Sequence, residues 1–166
     1  MIIKISTLSN GNHEILLEKK VKELKLDQPF VDDLILNCKV DKSDYQIVID
    51  CKLHAVANFI CDRCTADFNL TLHSDFKLVY FFDKGNIDKD NTSIRYLPDS
   101  ETEIDLTKDA FEFAQFSIPM KKLCDEDCNG LCSNCGINLN EKKCDCKNEE
   151  TNPVWDKLLE LKDKLN

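Results

Sequence analysis

Eight of the ten cysteines are spaced in pairs that suit metal binding. In chain order these four pairs are Cys61 and Cys64, Cys124 and Cys128, Cys132 and Cys135, and Cys144 and Cys146. A closed tetrahedral zinc site takes four sulfur or nitrogen ligands, so eight thiolates provide two such sites. We therefore predict that the chain binds two structural Zn²⁺ ions through these eight cysteines.

The four pairs can be divided between two ions in two ways. Gly130–Gly136 has the form of a zinc knuckle, in which the third pair binds one ion across a tight turn. Because the fourth pair follows closely, we favour one local site made of the third and fourth pairs, which orders the least chain. The first and second pairs then form the other site and tie a sheet to the C-terminal segment. The alternative combines the second pair with the third, and the first with the fourth.

The remaining two cysteines lie outside the four pairs, and the apolar runs of the chain bear on the cellular compartment. Cys38 and Cys51 lie on the apolar sides of predicted strands, and we interpret them as core residues. The N-terminal residues contain no apolar stretch that suits a signal peptide, and no run approaches the length of a membrane span. These observations predict a cytoplasmic protein, in which reduced thiols favour metal binding over disulfides.

No pattern in the chain indicates catalysis. Closed four-thiolate sites leave no open position for a reactive water molecule. The sequence contains no Gly-rich phosphate loop, HExxH or GxSxG motif. The first cysteine pair lies between predicted strands and not at a helix N-terminus, which argues against thioredoxin-like chemistry. We expect a protein that is not an enzyme and has no small-molecule substrate.

Two long segments of alternating polarity flank the first cysteine pair. Residues 45–59 and 66–82 each alternate apolar with polar side chains, so they predict an antiparallel hairpin with the CxxC motif at its tip. A register centred on the tip places His54 opposite Thr71, with His54 and His73 as diagonal neighbours. We interpret both histidines as solvated surface residues rather than shared ligands.

The other elements complete an α+β prediction: an antiparallel β-rich domain, barrel-like or curved, with a few short helices. We expect an acidic β-rich domain over residues 1–119, with a cysteine-rich segment and terminal helix over 120–166 packed on it as one compact unit. The predicted elements are short strands at 1–6 and 34–40, an ambiguous segment at 15–26 whose apolar residues fit a helical stripe, a polar loop at 83–93, a helix at 107–117 and a helix from Asn152-Pro153 onward.

The charge of the chain favours a basic partner. The formal net charge is −9, and residues 61–119 contain 12 acidic and 6 basic side chains. Such a surface repels phosphate backbones at long range and attracts a basic protein. A local basic edge near the cysteines is the alternative, because five lysines lie there: Lys121, Lys122, Lys142, Lys143 and Lys147.

The run IPMKKLCDEDCNGLCSNCGINLN, residues 118–140, resembles the bacterial YceD family of large ribosomal RNA subunit accumulation proteins. The first CxxC motif, the segment 104–107 and the segment 152–155 fit the same family. The resemblance implies a role in the synthesis, processing or accumulation of large-subunit ribosomal RNA, with bound metal and an expected affinity for nucleic acid. It implies metal-ligand roles for the paired cysteines and supplies no catalytic residue.

Three functions compete at this point. The leading one is a non-catalytic ribosome-biogenesis factor that binds a ribosomal protein or a large-subunit assembly intermediate, without a membrane partner. The second is a zinc-dependent protein that contacts ribosomal RNA directly through the lysines near the cysteines. The third is a thiol or zinc redox sensor, which requires a labile metal site.

Overall fold

The computed structural model describes residues 1–21, 29–83, 85 and 91–146. The described chain is mostly β-sheet with one α-helix, so the α+β class is confirmed. Its elements are β1 (Ile2–Lys4), a 3₁₀ turn (Ile5–Thr7), β2 (Gly11–Lys19), β3 (Leu34–Lys42), β4 (Gln46–Ile60), β5 (Asp67–Phe81), β6 (Ile94–Tyr96), β7 (Glu103–Asp105) and α1 (Thr107–Phe116).

Five of the strands form one mixed sheet in the order β2-β3-β4-β5-β6. The first three pairings are antiparallel and β5 pairs with β6 in parallel. Strands β1 and β7 form a separate antiparallel pair. The long strands β4 and β5 alternate buried with more exposed residues, which is the pattern of a sheet with one face in the core.

Helix α1 covers part of the buried face of the sheet. Ala110 and Ala114 are fully buried, and the small side chains allow the helix to approach β4 and β5 closely. The Phe113 ring stacks on Phe76 of β5 at a centroid distance of 4.4 Å. The helix ends at Phe116, three residues before Pro119, and so agrees with the helix predicted over 107–117.

The β4–β5 register differs from the one predicted from the hairpin tip. His54 lies opposite His73, not opposite Thr71. The last paired residues are Ile60 and Asp67, so the connecting segment includes two residues beyond the CxxC motif. Thr65 adopts a left-handed backbone with φ of 58°, and the Cys61 N–H donates to the Ala66 carbonyl at 2.8 Å. The turn is therefore centred one residue later than the motif itself.

The helical stripe noted over residues 15–26 does not form a helix at residues 15–19. Residues 15–19 belong to β2 and pair with β3, because the alternation of Ile15 and Leu17 buries one side of the strand against the sheet. Residues 22–28 lie outside the described part of the chain. The same is true of most of the predicted loop at 83–93 and of the predicted C-terminal helix.

Cys38 and Cys51 are core residues, as predicted. They are also joined by a disulfide, which was not predicted. The two residues lie opposite each other in the β3–β4 register, with their Cα atoms 4.1 Å apart. The sequence places each cysteine on the apolar side of its strand, but the pairing depends on the register between the strands.

A buried ionic group connects β5, β6 and α1. Asp109 of α1 is 4% exposed and accepts two hydrogen bonds from the Arg95 guanidinium of β6. Arg95 also donates to the Tyr80 hydroxyl at 3.3 Å. Donation to the Asp109 carboxylate raises the pKa of Arg95, and burial raises the pKa of Tyr80. The Arg95 guanidinium supplies hydrogen-bond donors to the buried Asp109 carboxylate, whose burial without them would cost free energy.

Two compact units can be distinguished by their internal contacts. The first comprises Met1–Asp62 and Ala66–Cys124, and the second comprises Arg63–Thr65 and Asp125–Asn166. The first unit contains both sheets and α1. In the part of the chain that the structure describes, no helix is both long and apolar enough to cross a membrane.

Candidate metal centres

The eight paired cysteines form two groups of four. We call Cys61, Cys64, Cys124 and Cys128 the hairpin cluster, and Cys132, Cys135, Cys144 and Cys146 the C-terminal cluster. In each cluster the four Sγ atoms all lie within 4.8 Å of one another. The grouping is the local one favoured from the sequence; metal binding by these residues is still a prediction.

Part of the hairpin cluster is positioned by backbone contacts in the first unit. The Cys124 N–H donates to Cys61 Sγ at 3.4 Å. Next to this contact, the Asp62 N–H donates to the Lys122 carbonyl at 2.8 Å, and the Lys122 N–H donates to the Asp62 carboxylate at 2.7 Å. These two bonds hold the segment before Cys124 beside the end of β4, so that Cys61 and Cys124 meet.

Cys128, a further cysteine of the hairpin cluster, is held by contacts in the second unit. Arg63 Nη1 donates to the carbonyls of Glu126 and Cys128, both at 2.9 Å. Asn140 Nδ2 donates to Cys128 Sγ at 3.2 Å. A donor to the sulfur favours the thiolate form, which is the form that binds metal.

Gly130 permits a close approach of two backbone segments in the second unit. Its φ is +74°, and a Cβ at this position would lie 3.1 Å from the Arg63 carbonyl oxygen. The same carbonyl accepts a hydrogen bond from the Leu131 N–H at 3.1 Å. A side chain at residue 130 would therefore disturb the contact that places Arg63.

The C-terminal cluster is built on a tight turn. The Cys132 N–H donates to the Ile137 carbonyl and the Gly136 N–H donates to the Cys132 carbonyl, both at 2.9 Å. Gly136 has a φ of +71°, a left-handed conformation that glycine adopts without steric cost. Cys132 is buried, while Cys135 and Cys146 are exposed and Cys144 is half-buried.

The sulfur atoms of the C-terminal cluster have different proton affinities. Backbone N–H groups of Cys135 and Asn134 donate to Cys132 Sγ and lower its pKa to about 6. The hydrogen bond from Cys146 to Cys135 raises the pKa of Cys146 to about 12, and a bond to Cys132 raises that of Cys144. The turn thus stabilises one thiolate before any metal binds, as expected of a metal-binding turn.

The geometry of both clusters fits a tetrahedral metal ion. With Zn–S bonds near 2.3 Å, four tetrahedral sulfurs lie about 3.8 Å apart. The 4.8 Å limit of each cluster requires only small side-chain adjustments to reach this spacing. Four soft thiolates suit zinc or iron rather than magnesium or calcium. Both clusters can therefore hold a metal ion, and neither has a water position in its four-ligand shell.

Arg63 and Asn140 were not among the candidate residues from the sequence. Arg63 lies within the first CxxC motif, but nothing in the motif indicates that its side chain reaches the carbonyl groups of a segment more than sixty residues later. Asn140 follows the third cysteine pair without any recognisable spacing. Both roles depend on how separate segments meet, so sequence pattern gave no signal for them.

The five lysines near the cysteines are divided between the two units and the residues outside the described ranges. Lys121 and Lys122 belong to the first unit, Lys142 and Lys143 to the second, and Lys147 lies outside the described residues. In the described second unit, acidic side chains outnumber basic ones. The acidic residues are Asp125, Glu126, Asp127, Glu141 and Asp145; the basic ones are Arg63, Lys142 and Lys143.

The fold and the two clusters define an α+β protein with two candidate four-thiolate metal centres. The family model described as "Large ribosomal RNA subunit accumulation protein YceD" matches residues 49–162, more than half of the chain. The chain belongs to the YceD family, and the resemblance noted in the sequence is confirmed.

Two plant proteins are similar to part of the chain. Both are named large ribosomal RNA subunit accumulation protein YCED homolog 1, chloroplastic. The Arabidopsis thaliana protein is 34% identical over 70 residues, which is 42% of this chain and 22% of the relative. The Zea mays protein is 34% identical over 64 residues, which is 38% of this chain and 22% of the relative. The matched region thus spans less than a quarter of each relative, and no solved structure matches the chain significantly.

Proposed function

We propose that this chain is a non-catalytic ribosome-biogenesis factor that supports the accumulation of large-subunit ribosomal RNA. The observation that carries the proposal is the match of residues 49–162 to a family described by that role. The named plant relatives carry the same description. The factor acts where large subunits are assembled, in the cytoplasm for a bacterial protein.

Zinc has a structural role in this proposal. Each cluster offers four thiol ligands and no open position, which is the composition of a structural rather than a catalytic zinc site. Within its described residues, the second unit contains few regular elements besides turns, so bound metal would contribute much of its folding free energy. The eight cysteines are the proposed ligands of two Zn²⁺ ions.

The partner in this proposal is a basic ribosomal protein, free or within an assembly intermediate. The chain is acidic, with a net charge of −9, and thiolate ligands would make it more so. An acidic protein attracts a basic one and slows contact with the phosphate backbone. The acidic excess among the described charges of the second unit argues against RNA as the primary contact.

An affinity purification tests the partner. Tagged protein is recovered from growing cells with and without ribonuclease, and both proteins and RNA are identified. Large-subunit ribosomal proteins that stay bound after ribonuclease are the expected result. If large-subunit RNA is recovered and the proteins are lost on digestion, the protein contacts RNA directly and the basic-partner proposal is wrong.

Native mass spectrometry tests the metal. We expect two zinc ions per chain, one after Cys132→Ser and one after Cys64→Ser. The Cys38→Ala/Cys51→Ala double variant, which changes cysteines outside both clusters, should retain two. A chain that binds no zinc in any form would contradict the structural role. Zinc released by mild oxidant would instead support the redox-sensor alternative.

A further inference from the structure

Two histidines face each other on the more exposed side of the five-stranded sheet. His54 of β4 and His73 of β5 are directly paired in the register, so their side chains leave the sheet on the same face. Their ring centroids lie 4.9 Å apart with an interplanar angle of 63°. His54 is half-buried and His73 is exposed, so both rings can reach solvent cations.

The ring spacing agrees with two imidazoles bound to one metal ion. With metal–nitrogen bonds of about 2.0–2.1 Å, the centroids of two rings on one ion lie roughly 4.5 to 5.2 Å apart for ligand angles between 90° and tetrahedral. The observed 4.9 Å falls within this interval. Directly paired strand positions keep the two rings together, so little conformational freedom is lost when an ion binds.

The surroundings of the pair do not oppose a cation. Lys52 and Asp75, the next residues along the same face, lie opposite each other across β4 and β5 and balance in charge. Ile35 of β3 lies on the other side of His54 and contributes no charge. The fixed charges next to the rings therefore add neither a net positive nor a net negative field.

We propose that His54 and His73 form a binding site for one divalent transition-metal ion, separate from both cysteine clusters. Imidazole nitrogen suits zinc, nickel and copper(II), and not magnesium or calcium. Two protein ligands leave coordination positions for water or for a donor from another molecule. The site is thus exchangeable, unlike the closed four-thiolate clusters, and goes beyond the structural metal in the proposed function.

Nickel titration of the zinc-loaded full-length chain tests this site. Calorimetry follows Ni²⁺ binding at neutral pH, while a colorimetric zinc indicator reports any displacement from the cysteine clusters. We expect one nickel ion to bind without zinc release. His54→Asn and His73→Asn should each weaken binding at least about tenfold, because either change destroys the chelate. The double variant should bind nickel no more tightly than either single variant, because it also lacks the remaining imidazole.

The chain supplies a matched control, since His13 is its other histidine. Its ring Nε2 bonds the Ser9 carbonyl at 2.8 Å, on β2 rather than in the pair. His13→Asn should leave nickel binding unchanged, and circular dichroism should show the same fold for all variants. Binding that survives both paired substitutions, or that proceeds only with zinc release, would overturn the proposal. If instead two nickel ions bound per chain and each single variant lost one of them, each histidine would bind its own ion, and this result would also overturn the proposal.

Discussion

The Arg63 guanidinium donates a hydrogen bond of 2.9 Å to the carbonyl oxygen of Cys128. The same Nη1 atom donates to the Glu126 carbonyl at the same distance. Arg63 comes from within the first CxxC motif, and Cys128 is itself a member of the hairpin cluster. One side chain therefore fixes the backbone on both sides of Asp127 and orients a cysteine that lies far away in sequence.

Arg63→Ala is expected to lower the zinc affinity of the hairpin cluster by about tenfold or more, since outer-shell contacts typically contribute 10–100-fold. Two carbonyl groups lose their charged donor, and Cys128 loses its fixed position. Competition with a chromogenic chelator measures the affinity. Lys143→Ala removes an exposed cation of the same unit and should leave it unchanged. Equal affinities for both variants would show that Arg63 does not position the cluster.

Asn140→Asp should weaken the same cluster through the sulfur atom itself. The substitution keeps the shape of the side chain but replaces the N–H donor at 3.2 Å from Cys128 Sγ with a carboxylate oxygen. A negative charge beside a thiolate raises its pKa and disfavours metal binding, so we expect a loss of about 10–100-fold.

The control for this charge change is Asn37→Asp on the more exposed face of β3. It alters the net charge of the chain by the same amount and should leave zinc release by the chelator unaffected. Zinc release that is as slow in Asn140→Asp as in the unaltered chain would contradict a role for the amide.

Sequence patterns correctly predicted the features that depend on residues close together in the chain. The alternation in β4 and β5 predicted which residues are buried, because a strand exposes one face and buries the other. The C-terminal cluster was predictable as a group since Cys132 to Cys146 are separated by short segments, which leave few alternatives. Helix α1 was predictable from its apolar residues and from Pro119.

Relationships between strands were not predictable in the same way. The His54–His73 pairing was missed because Thr65 and Ala66 extend the turn beyond the CxxC motif and shift the register by two residues. The Cys38–Cys51 disulfide was missed because it requires the β3–β4 register. Strand β6 is only three residues long and pairs in parallel with β5, so no alternation of its own identifies it.

Two glycines of the second unit provide a matched comparison of steric cost. Gly130 and Gly136 both have positive φ, at +74° and +71°. An added Cβ lies 3.1 Å from the Arg63 carbonyl oxygen at residue 130, but meets nothing within 4 Å at residue 136. Alanine at either position suffers the left-handed backbone penalty of about 1–2 kcal/mol.

Gly130→Ala should therefore destabilise the zinc-loaded chain more than Gly136→Ala, by about 1 kcal/mol, because it adds a close contact to the same backbone strain. Thermal unfolding at saturating zinc measures the difference. If Gly136→Ala proved as destabilising as Gly130→Ala, the contact with Arg63 would contribute nothing to the stability of the unit.

The buried ion pair of Asp109 and Arg95 should contribute strongly to the stability of the first unit. Asp109→Ala removes the carboxylate and leaves the Arg95 guanidinium, whose side chain is 36% exposed, without its partner. Breaking a buried pair costs about 3–5 kcal/mol, and partial exposure of Arg95 places the expected loss near the lower end, about 3 kcal/mol. Urea unfolding followed by circular dichroism measures the free energy of unfolding.

Lys108→Ala is the control for this prediction, since Lys108 pairs with Glu112 on the same helix at 3.6 Å and is largely exposed. It should change the free energy of unfolding by less than about 0.5 kcal/mol. The Asp109→Ala/Arg95→Ala double variant should be more stable than Asp109→Ala alone, because it no longer leaves an unpaired cation near the core. Strictly additive losses would mean that the two side chains are not coupled, and that burial of Asp109 is compensated by other contacts.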